Sequence, residues 1–299
     1  MIPALAPKSV RRHKRLDRLA NLRQFWAMGQ LHIIDELIYE RAPRLVKSPV
    51  WPVVKPLLYG ILGYRKAVMM ADAIRPLSGP AAMNYVSKLL HLDVEVQGLD
   101  RVPKTGRCVV VCNHPTGIAD GVAVYDAILR RRPDAIFFAN ADALRVNPRF
   151  AESLIPVEWV EAKRTRDKTR ATLLAAKAAF EAERCVVMFP AGRLARRNGN
   201  GQLVDPSWAP TALSLAQKYD ALIIPMNLKG PNSFWFHTFN RFSQELRDIT
   251  LFHELLNKAG KRFDLTVGPA VSPDADIDTE RLKRYVELDL AENPDKGFG

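Results

Sequence analysis

The sequence predicts an α/β protein: a mixed, largely parallel sheet flanked by helices, preceded by an N-terminal helical extension. Three observations lead there. From Leu92 onward, short β-branched runs alternate with helical periods, as strands joined by helical connections do. Two of the runs, around Val109 to Cys112 and Val186 to Phe189, are apolar throughout and read as buried strands. Before residue 90 there is no such alternation, only helical spacing and apolar stretches punctuated by prolines. The expected division is therefore 1–90 for the extension and 91–299 for the main body.

Taken in order, residues 1–48 form a basic arm, with ten Lys and Arg against four Asp and Glu. That net +6 is half of the +12 carried by all 299 residues. Within it Leu16, Leu19, Leu22, Phe25, Trp26, Ile33 and Leu37 recur at a helical period. A basic amphipathic helix reads as a membrane-surface or nucleic-acid element, or as a helix packed on the body with a solvated basic face. Residues 49–90 predict helices over 57–74 and 81–90, with Ser78-Gly79-Pro80 as the turn. Lys55, Arg65 and Lys66 interrupt the most apolar stretch, so no membrane span is predicted. Trp51, Tyr59 and Tyr64 beside those cations fit a membrane interface or an aromatic core. In the main body, strands are expected at 94–97, 109–112, 135–139, 157–160, 186–189, 222–226 and 265–267. Helices are expected at 121–129, 169–183, 208–219, 244–259 and 279–292.

Composition narrows the class. A hydrophobic content of 47% with 25% charged residues is that of a globular domain, but the net charge of +12 calls for an acidic partner. Cys108, Cys112 and Cys185 lie in or beside apolar runs and read as reduced packing residues. No phosphate-binding Gly-Lys loop, dinucleotide fingerprint or His/Cys cluster at metal spacing is present in the sequence.

The chemistry-bearing stretch is Asn113-His114-Pro115-Thr116-Gly117-Ile118-Ala119-Asp120-Gly121, where a buried strand breaks into a polar turn. His114 and Asp120 are placed in a loop at the carboxyl end of a strand, where open α/β sheets build their sites. A histidine with a carboxylate partner is a general base with its orienting group. No serine or cysteine nucleophile accompanies the pair, so direct activation of a substrate hydroxyl is expected. The same two residues in isolation would also fit a helix-capping aspartate and a loop histidine. A second block, Phe189-Pro190-Ala191-Gly192-Arg193-Leu194-Ala195-Arg196, likewise follows an apolar strand. Its glycine allows close backbone approach and its arginines suit an anion. Between the blocks lies a basic stretch with Lys163 and Arg164. A fourth block runs from Ile224 to Phe234 and includes Asn232.

Together these blocks resemble the glycerolipid acyltransferase superfamily over residues 92–271. Five residues between His114 and Asp120, and Phe-Pro-Ala-Gly in place of Phe-Pro-Glu-Gly, are similar to its hemolysin-like lysophospholipid acyltransferase branch. The resemblance implies transfer of a fatty acyl group from acyl-CoA or acyl carrier protein to a lysolipid hydroxyl. It makes His114 and Asp120 catalytic, and makes Asn113, Lys163, Arg164, Gly192, Arg193, Arg196 and Asn232 candidates for substrate binding. Arg196 matches the branch's arginine; Arg193 is a candidate from its position alone. No metal or bound cofactor is implied, because thioester cleavage supplies the driving force. The implied setting is peripheral, at the cytoplasmic face of an anionic membrane, with the extension facing the lipid. Ala191 removes a carboxylate that would bind a small polyol, so a lysolipid, including an amino-acid-containing one, is expected as acceptor rather than glycerol 3-phosphate. An inactive lysolipid-binding protein and a basic nucleic-acid-binding protein are the alternatives; no nucleic-acid-binding module is recognisable.

Overall fold

Helical spacing before residue 90 becomes α1 (Ile33–Arg41), α2 (Pro43–Lys47), α3 (Trp51–Ile61), α4 (Tyr64–Ile74) and α5 (Gly79–Leu90). The computed structural model describes residues 31–298 apart from 161–162, 198, 200–202 and 232, so most of the basic arm lies outside the described residues. The single helix expected over 57–74 is two, because Gly63 takes φ +66° and ends α3. Trp51 is buried edge-on against Tyr39 and Tyr59, which makes these aromatics core. Asp35, buried on α1, accepts the hydroxyls of Tyr59 and Tyr64. Burial, with that carboxylate beside them, pushes both phenols above their ordinary range. The outer face of α3 is different: Val53 is 78% and Leu57 65% exposed, with Val50 and Ile61 continuing the apolar stripe. Among the described residues no helix is long and apolar enough to cross a membrane.

The rest of the chain alternates as predicted. In order come β1 (Asp93–Gln97), β2 (Cys108–Cys112), α6 (Ile118–Ile128), β3 (Ile136–Asn140), α7 (Asp142–Val146), β4 (Leu154–Val157), α8 (Arg166–Glu181) and β5 (Cys185–Met188). A short hairpin, β6 (Arg196–Arg197) and β7 (Leu203–Val204), precedes α9 (Thr211–Tyr219) and β8 (Leu222–Lys229). Then come α10 (Phe234–Phe242), α11 (Gln244–Ile249), α12 (Leu251–Leu256), β9 (Arg262–Val267), α13 (Thr279–Arg284), a π-turn over Tyr285–Asp289, and α14 (Leu290–Glu292).

Seven strands form one sheet in the order β1-β9-β8-β2-β5-β3-β4, with every pair parallel except β8 with β9. The sheet is thus mixed and largely parallel. Several boundaries differ from expectation for local reasons. Strand 157–160 is displaced to Leu154–Val157, and Pro156 is tolerated because β4 is an edge strand. Strand β8 runs on past Pro225 to Lys229. The missing N–H falls between the Val271 bridge and β9, where the Pro225 carbonyl accepts Gly268 N–H. The helix expected over 244–259 breaks at Thr250, whose hydroxyl bonds the Arg247 carbonyl. Helix α10 is unanticipated, being mostly aromatic and thus of modest helix propensity.

Alternating strand residues feed two cores. Cys108, Val110 and Cys112 face α4, α5, α6 and α12, and Ile34, Leu37, Trp51 and Met70 of the first helices belong to that same cluster. The described part of the extension therefore shares a core with the sheet. Val109, Val111, Val186 and Ile223 face α8, α9 and the C-terminal helices. All three cysteines are free and buried. At the amino ends of the strands, Arg132 is 1% exposed and pairs twice with Asp134 while donating to the Pro103, Gly106 and Glu183 carbonyls. The guanidinium hydrogen bond holds the Asp134 carboxyl below its usual range.

Candidate active site

At the carboxyl end of β2 the chain leaves the sheet between β8 and β5, a site with strands on both sides. Asn113 extends the pairing by one residue: its Oδ1 accepts Leu228 N–H at 2.7 Å and its amide donates to the Leu228 carbonyl at 3.0 Å. Asn113, a candidate for substrate binding, is buried with its amide engaged by β8. His114 follows and turns its ring outward. Its Nδ1 lies 2.9 Å from Asp120 Oδ2, its side chain is 17% exposed, and its ring packs against Phe189 with centroids 4.6 Å apart. Nε2 has no partner among the described residues.

Asp120 is placed by the helix rather than by a loop. The sequence puts it before the helix, but α6 begins at Ile118 and Asp120 sits in its first turn, where a carboxylate satisfies free N–H groups. Its Oδ2 accepts Thr116 N–H at 2.9 Å and Gly117 N–H at 3.0 Å, and Thr116 Oγ1 donates to Oδ1. Gly117 reaches this geometry at φ +112°, with Leu194 3.1 Å from where a Cβ would stand. The fourth block clamps the same loop: Ser233 Oγ donates to the Thr116 carbonyl at 2.9 Å, and Gly230 lies close against Thr116 and Phe263. Asn232 lies outside the described residues.

The second block comes from the end of β5. Gly192 N–H donates to the Phe189 carbonyl at 3.0 Å, closing the turn, so this N–H is not free for a ligand. Gly192 has φ +60° and packs directly under Trp159, leaving no room for a side chain. The following loop reaches back to the histidine, Ala195 N–H donating to the His114 carbonyl at 2.9 Å. Arg193 and Arg196 flank that contact and are exposed. The two basic residues between the blocks are otherwise engaged. Lys163 pairs with Glu40 of α1 at 2.7 Å, and Arg164 Nε donates to the Glu158 carbonyl at 3.0 Å. Asp205 was missed in the sequence. It is buried, receives the His114 backbone N–H, and is pushed up to about 6 mainly by burial. Among the described residues no group of three His, Cys, Asp or Glu is arranged to hold a metal ion.

Residues 85–287, more than half of the chain, match the family model described as Acyltransferase. The chain belongs to this acyltransferase family. It is similar to a lyso-glycine lipid O-acyltransferase of Phocaeicola vulgatus, 27% identical over 62% of this chain and 66% of that protein. The protein of the same name from Bacteroides thetaiotaomicron is 24% identical over 80% of this chain and 87% of the other. Among solved structures it is similar to the 1-acyl-sn-glycerophosphate acyltransferase PlsC of Thermotoga maritima, with a TM-score of 0.45 and 16% identity, covering 94% and 95% of the two chains. The matched span of this acyltransferase contains His114, Asp120 and the Phe189–Gly192 turn, and also Asp205.

Proposed function

We propose that this acyltransferase moves a fatty acyl group from a thioester, acyl-CoA or acyl carrier protein, to a hydroxyl of a lysolipid. The observation that carries the reading is the His114–Asp120 pair at the carboxyl end of β2, with Nδ1 held by a buried carboxylate and Nε2 without a partner among the described residues. With Nδ1 carrying the proton, Nε2 presents a lone pair. It takes the proton of the acceptor hydroxyl as that oxygen attacks the thioester carbonyl. The tetrahedral intermediate collapses, the C–S bond breaks, and the imidazolium returns its proton to the leaving thiolate. Asp120 fixes the ring and stabilises the imidazolium between these steps. No covalent acyl-enzyme is required.

The acceptor is a lysolipid with an amino-acid headgroup, as the names of the relatives indicate for those proteins. Two features support this. Ala191 is buried where a carboxylate would otherwise select small polyols, and Arg193 and Arg196 stand on the loop that grips His114, available to an anionic headgroup. With Lys163 and Arg164 engaged by protein partners, those two arginines are the stronger candidates. The enzyme attaches to an anionic membrane through the basic arm and the exposed stripe of α3. One acyl thioester assayed against glycerol 3-phosphate, lysophosphatidic acid, a lysophospholipid and a lyso-aminolipid tests the acceptor. The lyso-aminolipid is expected to turn over fastest; a preference for glycerol 3-phosphate would overturn the assignment.

A further inference from the structure

Both backbone polar groups of His114 are gripped by one segment. Its carbonyl accepts Ala195 N–H at 2.9 Å, and its N–H lies 3.2 and 3.1 Å from the two oxygens of Asp205. The same segment binds the second block, Ala209 N–H donating to the Pro190 carbonyl at 3.0 Å. The Asp205 carboxylate also receives Trp208 Nε1–H at 2.9 Å. Its backbone N–H is held by Glu287 Oε1 at 2.7 Å, and Glu287 stands in the π-turn that interrupts the C-terminal helix. Such turns are frequent at functional sites, because the extra residue re-aims the side chains around it.

We propose that Asp205 is a positioning residue for the transfer reaction: its ionised carboxylate, set by Glu287, holds the His114 backbone so that Nε2 meets the acceptor hydroxyl. The inference rests on the acyl-transfer reading of the site. A carboxylate is needed because two N–H donors converge on it. Oδ2 accepts both, but the His114 N–H also spans Oδ1 at 3.2 Å, so an asparagine in either orientation would set its NH₂ against that N–H, donor against donor. The charged and titratable groups facing Asp205 are His114 and Cys112 from the end of β2 and Glu287, with its partner Lys283, from the C-terminal helix. Burial, with Glu287 adding to it, raises the Asp205 carboxyl to about 6, while Trp208 and His114 act in the opposite sense. Protonation replaces an acceptor by a donor, so transfer weakens as the pH falls through about 6.

The test compares the parent, Asp205→Asn and Glu287→Gln over pH 5–8 with one acyl thioester and one lysolipid. In Asp205→Asn, kcat at pH 7.5 is expected to fall about 10- to 100-fold, the loss typical of a displaced catalytic group, with KM little changed. In Glu287→Gln, the amide oxygen still accepts Asp205 N–H but the negative charge is gone, so the acid limb of the pH profile moves to lower pH. Equal kcat in the parent and Asp205→Asn, or an acid limb unmoved by Glu287→Gln, would overturn the proposal. A parent without transfer activity would instead refute the acyl-transfer reading. The positioning contact is then still tested by NMR of the Trp208 indole N–H, which is expected to titrate near pH 6 in the parent and not in Asp205→Asn. An indole resonance independent of pH in the parent would count against an ionising Asp205 at this site.

Discussion

Asp120 carries the most donors of any carboxylate at the site, accepting from His114, from two backbone N–H groups and from the Thr116 hydroxyl. Asp120→Asn either turns its NH₂ toward His114 Nδ1, favouring the tautomer that protonates Nε2, or sets it on Thr116 Oγ1 and leaves the imidazolium without its negative partner. The expected loss in kcat is on the order of 10²–10⁴-fold with the protein still folded. A folded Asp120→Asn protein with near-parental kcat would remove the orienting role. Asp205 adds a stability signature of definite sign. Its carboxyl is raised in the folded state, to about 6 against roughly 3.9 in the unfolded chain. The stability it contributes is therefore fully present below about pH 4 and lost as the pH rises through 6, by about 2–3 kcal/mol. Denaturant unfolding of the parent and Asp205→Asn at pH 4 and pH 7 should show the parent gaining on the variant by that order at the lower pH. A pH-independent difference would contradict it.

At the scale of elements, α3 has two faces with different work. Trp51 fixes it in the core, while Val50, Val53, Leu57 and Ile61 form an uncovered apolar stripe. Burying one Val or Leu is worth about 1.5–3 kcal/mol, so Val53→Ser with Leu57→Ser should weaken binding to anionic vesicles by more than about tenfold. Co-sedimentation equal to that of the parent would show that the stripe does not meet lipid. Deletion of residues 1–30 probes the arm separately. A longer deletion to residue 48 would remove Ile34, Leu37 and Ile38 from the core and unfold rather than detach the protein. What could be read in advance follows the same division. The fully apolar runs at β2 and β5 announce themselves, because a strand buried on both faces needs nothing but hydrophobic residues. His114 and Asp120 stand out as polar residues at the end of such a run. Asp205 does not: it lies ninety-one positions from His114, and only the parallel sheet brings the two together. The engagement of Asn113, Lys163 and Arg164 was hidden for the same reason, since each partner is remote in sequence or is backbone.

Across the whole molecule, chemistry sits at the carboxyl ends of the strands and stability at their amino ends. There Arg132 ties β2, β3 and β5 together through Asp134, Cys185 N–H and three carbonyls. Arg132→Ala leaves the Gly106 and Glu183 carbonyls without their donor while Asp134 stays partly solvated, so it should cost roughly 1–3 kcal/mol in urea unfolding. A loss under about 1 kcal/mol, the size of a surface pair, would contradict this. The seven-stranded sheet, the helices on both faces and the extension built into one of them serve to hold His114 between β5 and β8 with Nε2 outward. The most direct test is acceptor-dependent thiol release from an acyl thioester by the purified protein, parent against His114→Ala at matched melting temperature. The account predicts release that requires a lysolipid, with formation of the acyl ester, and its loss in His114→Ala. Release that persists in the folded His114→Ala protein would contradict it, as would a parent that releases no thiol with any lysolipid.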